Sequence, residues 1–112
     1  MKNRGSQIRN QKLRGEWAEL RFMARAAEHG LGVSKPWGES ARCDVGVEHN
    51  VRYLRVQVKS TIYQVGASYV CNTRPDNDYQ PYTCGQIDFM AAYVIPEDVW
   101  YILPARVATA LN

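Results

Sequence analysis

The stretch from 43 to 61, CDVGVEHNVRYLRVQVKST, decides the fold. It reads as two short strands joined at His49-Asn50, where Asn50 tolerates a left-handed backbone. Alternation along the second strand sends Leu54, Val56 and Val58 to one face and Tyr53, Arg55, Gln57 and Lys59 to the other. The first strand divides the same way, with Cys43, Val45 and Val47 against Asp44, Gly46 and Glu48. Paired as an antiparallel hairpin, the strands bring a carboxylate, an amide and an ammonium onto one polar face. Such a grouping can hold a divalent metal and a water beside a phosphate. A hairpin whose polar face simply meets water shows the same pattern.

Upstream of this hairpin the spacing predicts a helix from about residue 11, with Leu13, Trp17, Leu20, Ala24 and Ala27 on one stripe and Gly30 just past its end. Glu16 and Glu19 fall one turn apart near its start, where carboxylates also favour the helix dipole. A short strand over 31–34 leads into a loop marked by Lys35, Pro36, Trp37 and Gly38. Downstream, 68–72 reads as a third strand and 74–78 as a loop. Tyr63, Tyr69, Tyr79 and Tyr82 lie around Arg74, a pattern shared by nucleic-acid contacts and by tyrosines packed at strand edges. Residues 88–95 are apolar and strand-like, though a Met-Ala-Ala core also suits a helix, and 99–103 form an aromatic-rich strand after the turn at 96–98. Pro104 is then expected in the first turn of a final helix over 105–111. The order implies an α+β domain, a sheet flanked by helices.

The 112 residues suffice for one hydrophobic core. The expected organisation is a flexible basic arm over 1–12 and a single domain over 13–112. The first 14 residues carry Lys2, Arg4, Arg9, Lys12 and Arg14 and no acid, so the excess positive charge of +3 sits there. Such an arm suits phosphate contact, and equally a solvated tail. Lys35 and Arg42, flanking the loop before the hairpin, are weaker candidates for DNA contact. No apolar run is long enough to span a bilayer, and the start of the chain has no secretory h-region. Three cysteines, Cys43, Cys71 and Cys84, contain no C-x-x-C pair, which points to reduced thiols and a cytoplasmic setting.

Taken together, these segments resemble the PD-(D/E)XK nucleases. Arg14-Gly15-Glu16-Trp17-Ala18-Glu19 resembles their opening helix motif, a basic residue followed by G-x-x-A-E. Cys43-Asp44-Val45 is similar to their metal-binding aspartate at a strand start, and Val56-Gln57-Val58-Lys59 to their E/Q-x-K strand. Pro36, Gly38 and the tail IDFMAAYVIPEDVWYILPA fit as well; the resemblance is closest to the group I intron-associated homing endonucleases, relatives of archaeal-type Holliday junction resolvases. It implies a restriction-endonuclease-like core with a central mixed sheet, and metal-dependent hydrolysis of DNA phosphodiesters. It also implies roles. Asp44 holds Mg²⁺ (or Mn²⁺), Gln57 adds an oxygen to that ion, Glu19 completes the site, and Lys59 faces the attacking water or the scissile phosphate. Glu16 is the alternative helix carboxylate, but the G-x-x-A-E spacing favours Glu19. The ion's charge on the phosphate and the Lys59 ammonium would offset developing negative charge. Gln57 departs from the commoner acid at its position and matches the Q-x-K branch. A domain this small covers little DNA, so a homodimer or homotetramer is expected, with Trp100 and Tyr101 in either the interface or the core. A junction resolvase, or a catalytically silent DNA-binding module on the same fold, is the alternative.

Overall fold

The hydrophobic alternation of 45–61 is realised as a ladder at the centre of a five-stranded sheet. The computed structural model describes residues 4–37, 43–71 and 86–110. In chain order these form α1 (Gln11–Glu28), β1 (Gly32–Ser34), β2 (Val45–His49), β3 (Arg52–Thr61), β4 (Gln64–Val65), β5 (Ser68–Tyr69), β6 (Phe89–Val94), β7 (Val99–Pro104) and α2 (Ala105–Ala110), with 3-10 turns at Gly5–Gln7 and Ile95–Glu97. The sheet order is β1-β2-β3-β6-β7, and β4 and β5 form a separate two-stranded ribbon. Only β3 and β6 run parallel; every other neighbour is antiparallel, so the sheet is mixed as expected. Of residues 88–95, ambiguous in sequence, Phe89–Val94 are strand because β6 lies between β3 and β7 with both edges paired.

Val45, Val47, Val56, Val58, Ala91 and Tyr93 point to one face of the sheet and pack against Ala18 of α1, with Trp17, Phe22 and Met23 closing over them. The opposite face carries a smaller cluster of Ile87, Met90 and Ala105, joined by Cys43 and Leu103 beneath α2. The helix does not present the expected stripe. Leu13 and Leu20 are exposed, whereas Arg14, Ala18 and Ala26 are buried. The buried face is an i, i+4 row through 14, 18, 22 and 26, and the arginine stem supplies its apolar first member. The helix ends as Gly30 predicts. Gly30 has φ 80°, its N–H donates to Ala27 O, and Leu31 N–H donates back to Ala26 O.

Three local expectations change. The hairpin turn is Asn50-Val51 rather than His49-Asn50, because both residues take positive φ, 50° and 60°, as a two-residue turn with right-twisting strands demands. Residues 5–7, expected within an unstructured arm, form a 3-10 turn with Gly5 buried against the Trp17 ring. Pro104 closes β7 instead of opening the final helix. Trp100 stacks on Tyr93 with ring centroids 4.1 Å apart and meets Phe22 edge-on, so it belongs to the core, whereas Tyr101 is exposed. The loop signal at 74–78, together with Tyr79, Tyr82, Cys84, Gly38, Lys2 and Arg42, lies outside the described residues.

Candidate active site

The site is built where β2 enters the sheet. Asp44 N–H donates to Val56 O at 2.9 Å, which fixes the residue one step before the first strand pair. Its carboxylate accepts from Val58 N–H, also at 2.9 Å, and so takes the position of a main-chain acceptor in the ladder. That placement strips water from the carboxyl group. Burial pushes the Asp44 pKa up to about 6 against the downward pull of the Val58 hydrogen bond; Glu19 raises it further and Lys35 and Lys59 lower it.

Gln57 and Lys59 lie on the next strand, on the face of the sheet turned away from α1, since they sit opposite Met90 and Ala92 while Val56 and Val58 face the helix. Both are buried, 5% and 7% exposed. At these two positions the polar face of the hairpin does not simply meet water, although Glu48 and Tyr53 at its outer end are exposed. Among the described residues the Gln57 side chain makes no hydrogen bond. A buried amide left without a partner costs on the order of 1–3 kcal/mol, and a fold tolerates it where something else uses the group. Glu19 rises from the third turn of α1, next to Ala18, which anchors the helix to the sheet. Its carboxylate pairs with the Lys35 ammonium, and Lys35 is thereby drawn to the site from the loop after β1. Lys59 lies within electrostatic reach of Asp44, whose pKa it lowers, and of Cys71, whose thiol pKa is raised by burial against the pull of Lys59.

So Glu19, Lys59 and Lys35 all lie within electrostatic reach of the Asp44 carboxylate, and Gln57 lies on the strand paired with β2; Lys35 was offered by the sequence only as a DNA contact. No sequence signal marks Lys35 as the partner of Glu19. Glu16, the alternative helix carboxylate, is exposed. Arg14 is buried and its guanidinium donates to Ile8 O at 3.0 Å, so it braces the N-terminal turn instead of facing DNA. Arg4, Arg9 and Lys12 are exposed. Among the described residues no three His, Cys, Asp or Glu side chains form a metal cage. The donor set is nonetheless all oxygen: two carboxylates and an unsatisfied amide. It fits a hard divalent ion that keeps most of its waters, and the raised Asp44 pKa marks a carboxylate stripped of water by burial.

A family model for PD-(D/E)XK endonucleases matches residues 9–112. The chain belongs to the PD-(D/E)XK endonuclease family. Among solved structures, the PD-(D/E)XK fold described here is similar to that of a bacterial homing endonuclease, I-Ssp6803I, with 30% sequence identity and a TM-score of 0.81. The match covers 92% of this chain and 74% of that one. No curated protein matches the sequence. This PD-(D/E)XK chain is therefore a nuclease of homing-endonuclease-like structure. Among its described residues no helix is long and apolar enough to cross a membrane.

Proposed function

We propose that the protein is an endodeoxyribonuclease that hydrolyses phosphodiester bonds with Mg²⁺ or Mn²⁺ held by Asp44, Gln57 and Glu19. The observation that carries this reading is the buried amide of Gln57, without a side-chain hydrogen bond among the described residues, on the strand beside the desolvated carboxylate of Asp44. When bound, the divalent ion polarises the phosphate and lowers the pKa of water. The rest is the work of this chain. Val58 N–H fixes the Asp44 carboxylate, and the ordering of β3 between β2 and β6 fixes Gln57 and Lys59 relative to it. Lys59, buried and water-poor, stabilises negative charge developing on the phosphate oxygens more strongly than an exposed ammonium would. Lys35 holds Glu19 and adds a second positive charge to the mouth of the site.

Two further features belong to this reading. The strand β7, at the edge of the sheet, carries no charged residue and exposes Val99, Tyr101 and Ile102. An uncharged apolar edge supports self-association, and with it the two active sites needed to cut both strands. The described cysteines, Cys43 and Cys71, are free thiols, which supports a reducing, cytoplasmic setting.

The test is cleavage of supercoiled plasmid and of a four-way junction, with and without Mg²⁺, for wild type, Asp44→Asn and Lys59→Ala. Metal-dependent cutting lost in both variants is the expected result. The likeness to a homing endonuclease supports discrete plasmid cutting over preference for the junction. Cutting that survives Asp44→Asn would end the assignment of this site.

A further inference from the structure

Five residues beyond Lys59 the chain makes a small ribbon that nothing in the core requires. β4 and β5 pair Gln64 with Tyr69 and Val65 with Ser68, and the pairing extends one step to Tyr63 and Val70. Gly66 alone of the two turn residues has a positive φ, 61°, as a tight type II′-like turn needs. No residue from 63 to 70 enters either hydrophobic cluster, and Tyr63, Val65 and Val70 are more than half exposed. An isolated two-stranded ribbon is marginal in water. This one is held at its base instead. Thr61 Oγ donates to Val70 O, Tyr63 N–H donates to Thr61 Oγ, and Tyr69 OH donates to Glu97.

The ribbon is also electrically unusual. Residues 60–71 carry no charge, and the segment beside them, 4–15, carries Arg4, Arg9, Lys12 and Arg14 with no acid. The two are joined by Gln11 Nε2 donating to Tyr63 OH at 3.3 Å. A neutral ribbon next to a basic arm, within about 17 Å of extended chain from Lys59, has the dimensions and charge of a duplex-DNA contact. The major groove admits a two-stranded ribbon, and its flanking phosphates attract exposed Arg and Lys.

Resting on the nuclease reading, we propose that the β4–β5 ribbon is the base-reading element of this enzyme. It lies in the major groove beside the scissile phosphate, with Gln64, Val65 and Ser68 against base edges and Arg9 and Lys12 on the flanking phosphates. The Gln64 amide donates and accepts in one plane, which matches the N6 and N7 edge of adenine. The Val65 methyls match the C5-methyl of thymine, and the Ser68 hydroxyl accepts or donates to either partner. The base pairs read by the ribbon are accordingly rich in A·T.

The experiment is selection of bound sequences from a randomised duplex library by the full chain in EDTA, so that recognition is read apart from cutting. The wild type is expected to enrich a defined sequence. Gln64→Ala and Val65→Ala each lose preference at one or two adjacent base pairs, with discrimination there falling on the order of 10- to 100-fold, while preferences elsewhere in the site persist. Lys12→Ala weakens binding to every sequence alike and lowers the slope of log affinity against log salt by about 1. Far-UV circular dichroism checks that each variant is folded, and Ser68→Ala gives a third, conservative probe. Ribbon variants that select the wild-type sequence with undiminished discrimination overturn the proposal, as does a wild type that selects no sequence. A wild type that selects a sequence but fails to cut it with Mg²⁺ leaves the ribbon's role standing and removes the nuclease reading. One that cuts DNA without selecting any does the reverse.

Discussion

Replacing the Asp44 carboxylate with an amide should stabilise the metal-free protein. The folded-state pKa of Asp44 is raised from 3.8 to about 6, chiefly by burial. A raised pKa means that the native state holds the proton more tightly than the unfolded chain does. Below the ordinary carboxylate range both states are protonated and Asp44 costs nothing. As pH rises from there to about 6 the unfolded chain releases its proton first, and stability falls. Above about 6 the loss is complete, about 3 kcal/mol from the size of the shift. Asn keeps the acceptor that Val58 N–H needs and removes the charge. In urea denaturation with EDTA at pH 7.5, Asp44→Asn is expected to exceed the wild type by about 2–3 kcal/mol, a rise in Tm on the order of 10 °C. The gap should close by about pH 4. Millimolar Mg²⁺ should then raise the wild type and leave the variant unmoved, because only the wild type binds it. An Asp44→Asn protein no more stable than wild type at pH 7.5, or a gap that ignores pH, would refute the claim that a desolvated charge sits at this position.

Other perturbations follow from the same structure. Gln57→Glu places a second carboxylate at a position 5% exposed; calorimetric titration should show Mg²⁺ binding at least about 10-fold tighter, and metal-free denaturation a less stable fold. Val51→Gly should stabilise by about 1 kcal/mol in chemical denaturation, since a β-branched residue at φ 60° is strained and its side chain is fully exposed. Asp88→Ala should cost about 2–3 kcal/mol, because Asp88 accepts from Arg55 N–H, Nε and Nη2 where β6 starts. Those bonds hold the Asp88 pKa below its ordinary value, so its contribution is present above the usual carboxylate range and is lost as acid titration passes below it. Gly5→Ala should displace the N-terminal turn and change tryptophan fluorescence, as a Cβ there would fall 2.1 Å from the Trp17 ring.

The hairpin that carries the site was legible because its alternation is strict, and Asp44, Gln57 and Lys59 are residue types whose chemistry shows at that spacing. Their burial was not legible. It comes from β6 lying parallel to β3, a pairing across some thirty residues of sequence that no local pattern encodes. The stripe of α1 was misdrawn for a different reason. Arg14 buries its stem and satisfies its guanidinium on Ile8 O, which makes a charged residue part of the apolar face, while Leu13 and Leu20 look outward. Val51 hid the turn, being among the residues least suited to a left-handed backbone. Of the ribbon, β5 falls within the strand expected at 68–72, whereas β4 was missed because a strand of two residues is shorter than any period that could announce it.

The exchange of an acid for Gln57 is best understood through the charges around it. Glu19 and Asp44 are faced by Lys35 and Lys59, so the site is close to neutral before any ion arrives. A third buried carboxylate would leave an uncompensated negative charge in a place already dry enough to push Asp44 to about 6. With the amide, a divalent ion held there would bring the site to a net positive charge, which would attract a phosphodiester and its developing charge in the transition state. The amide would thus trade affinity for the ion against affinity for the phosphate. Lys35 is the residue that would make the trade workable, for without its ammonium on Glu19 the repulsion between Glu19 and Asp44 would go uncompensated.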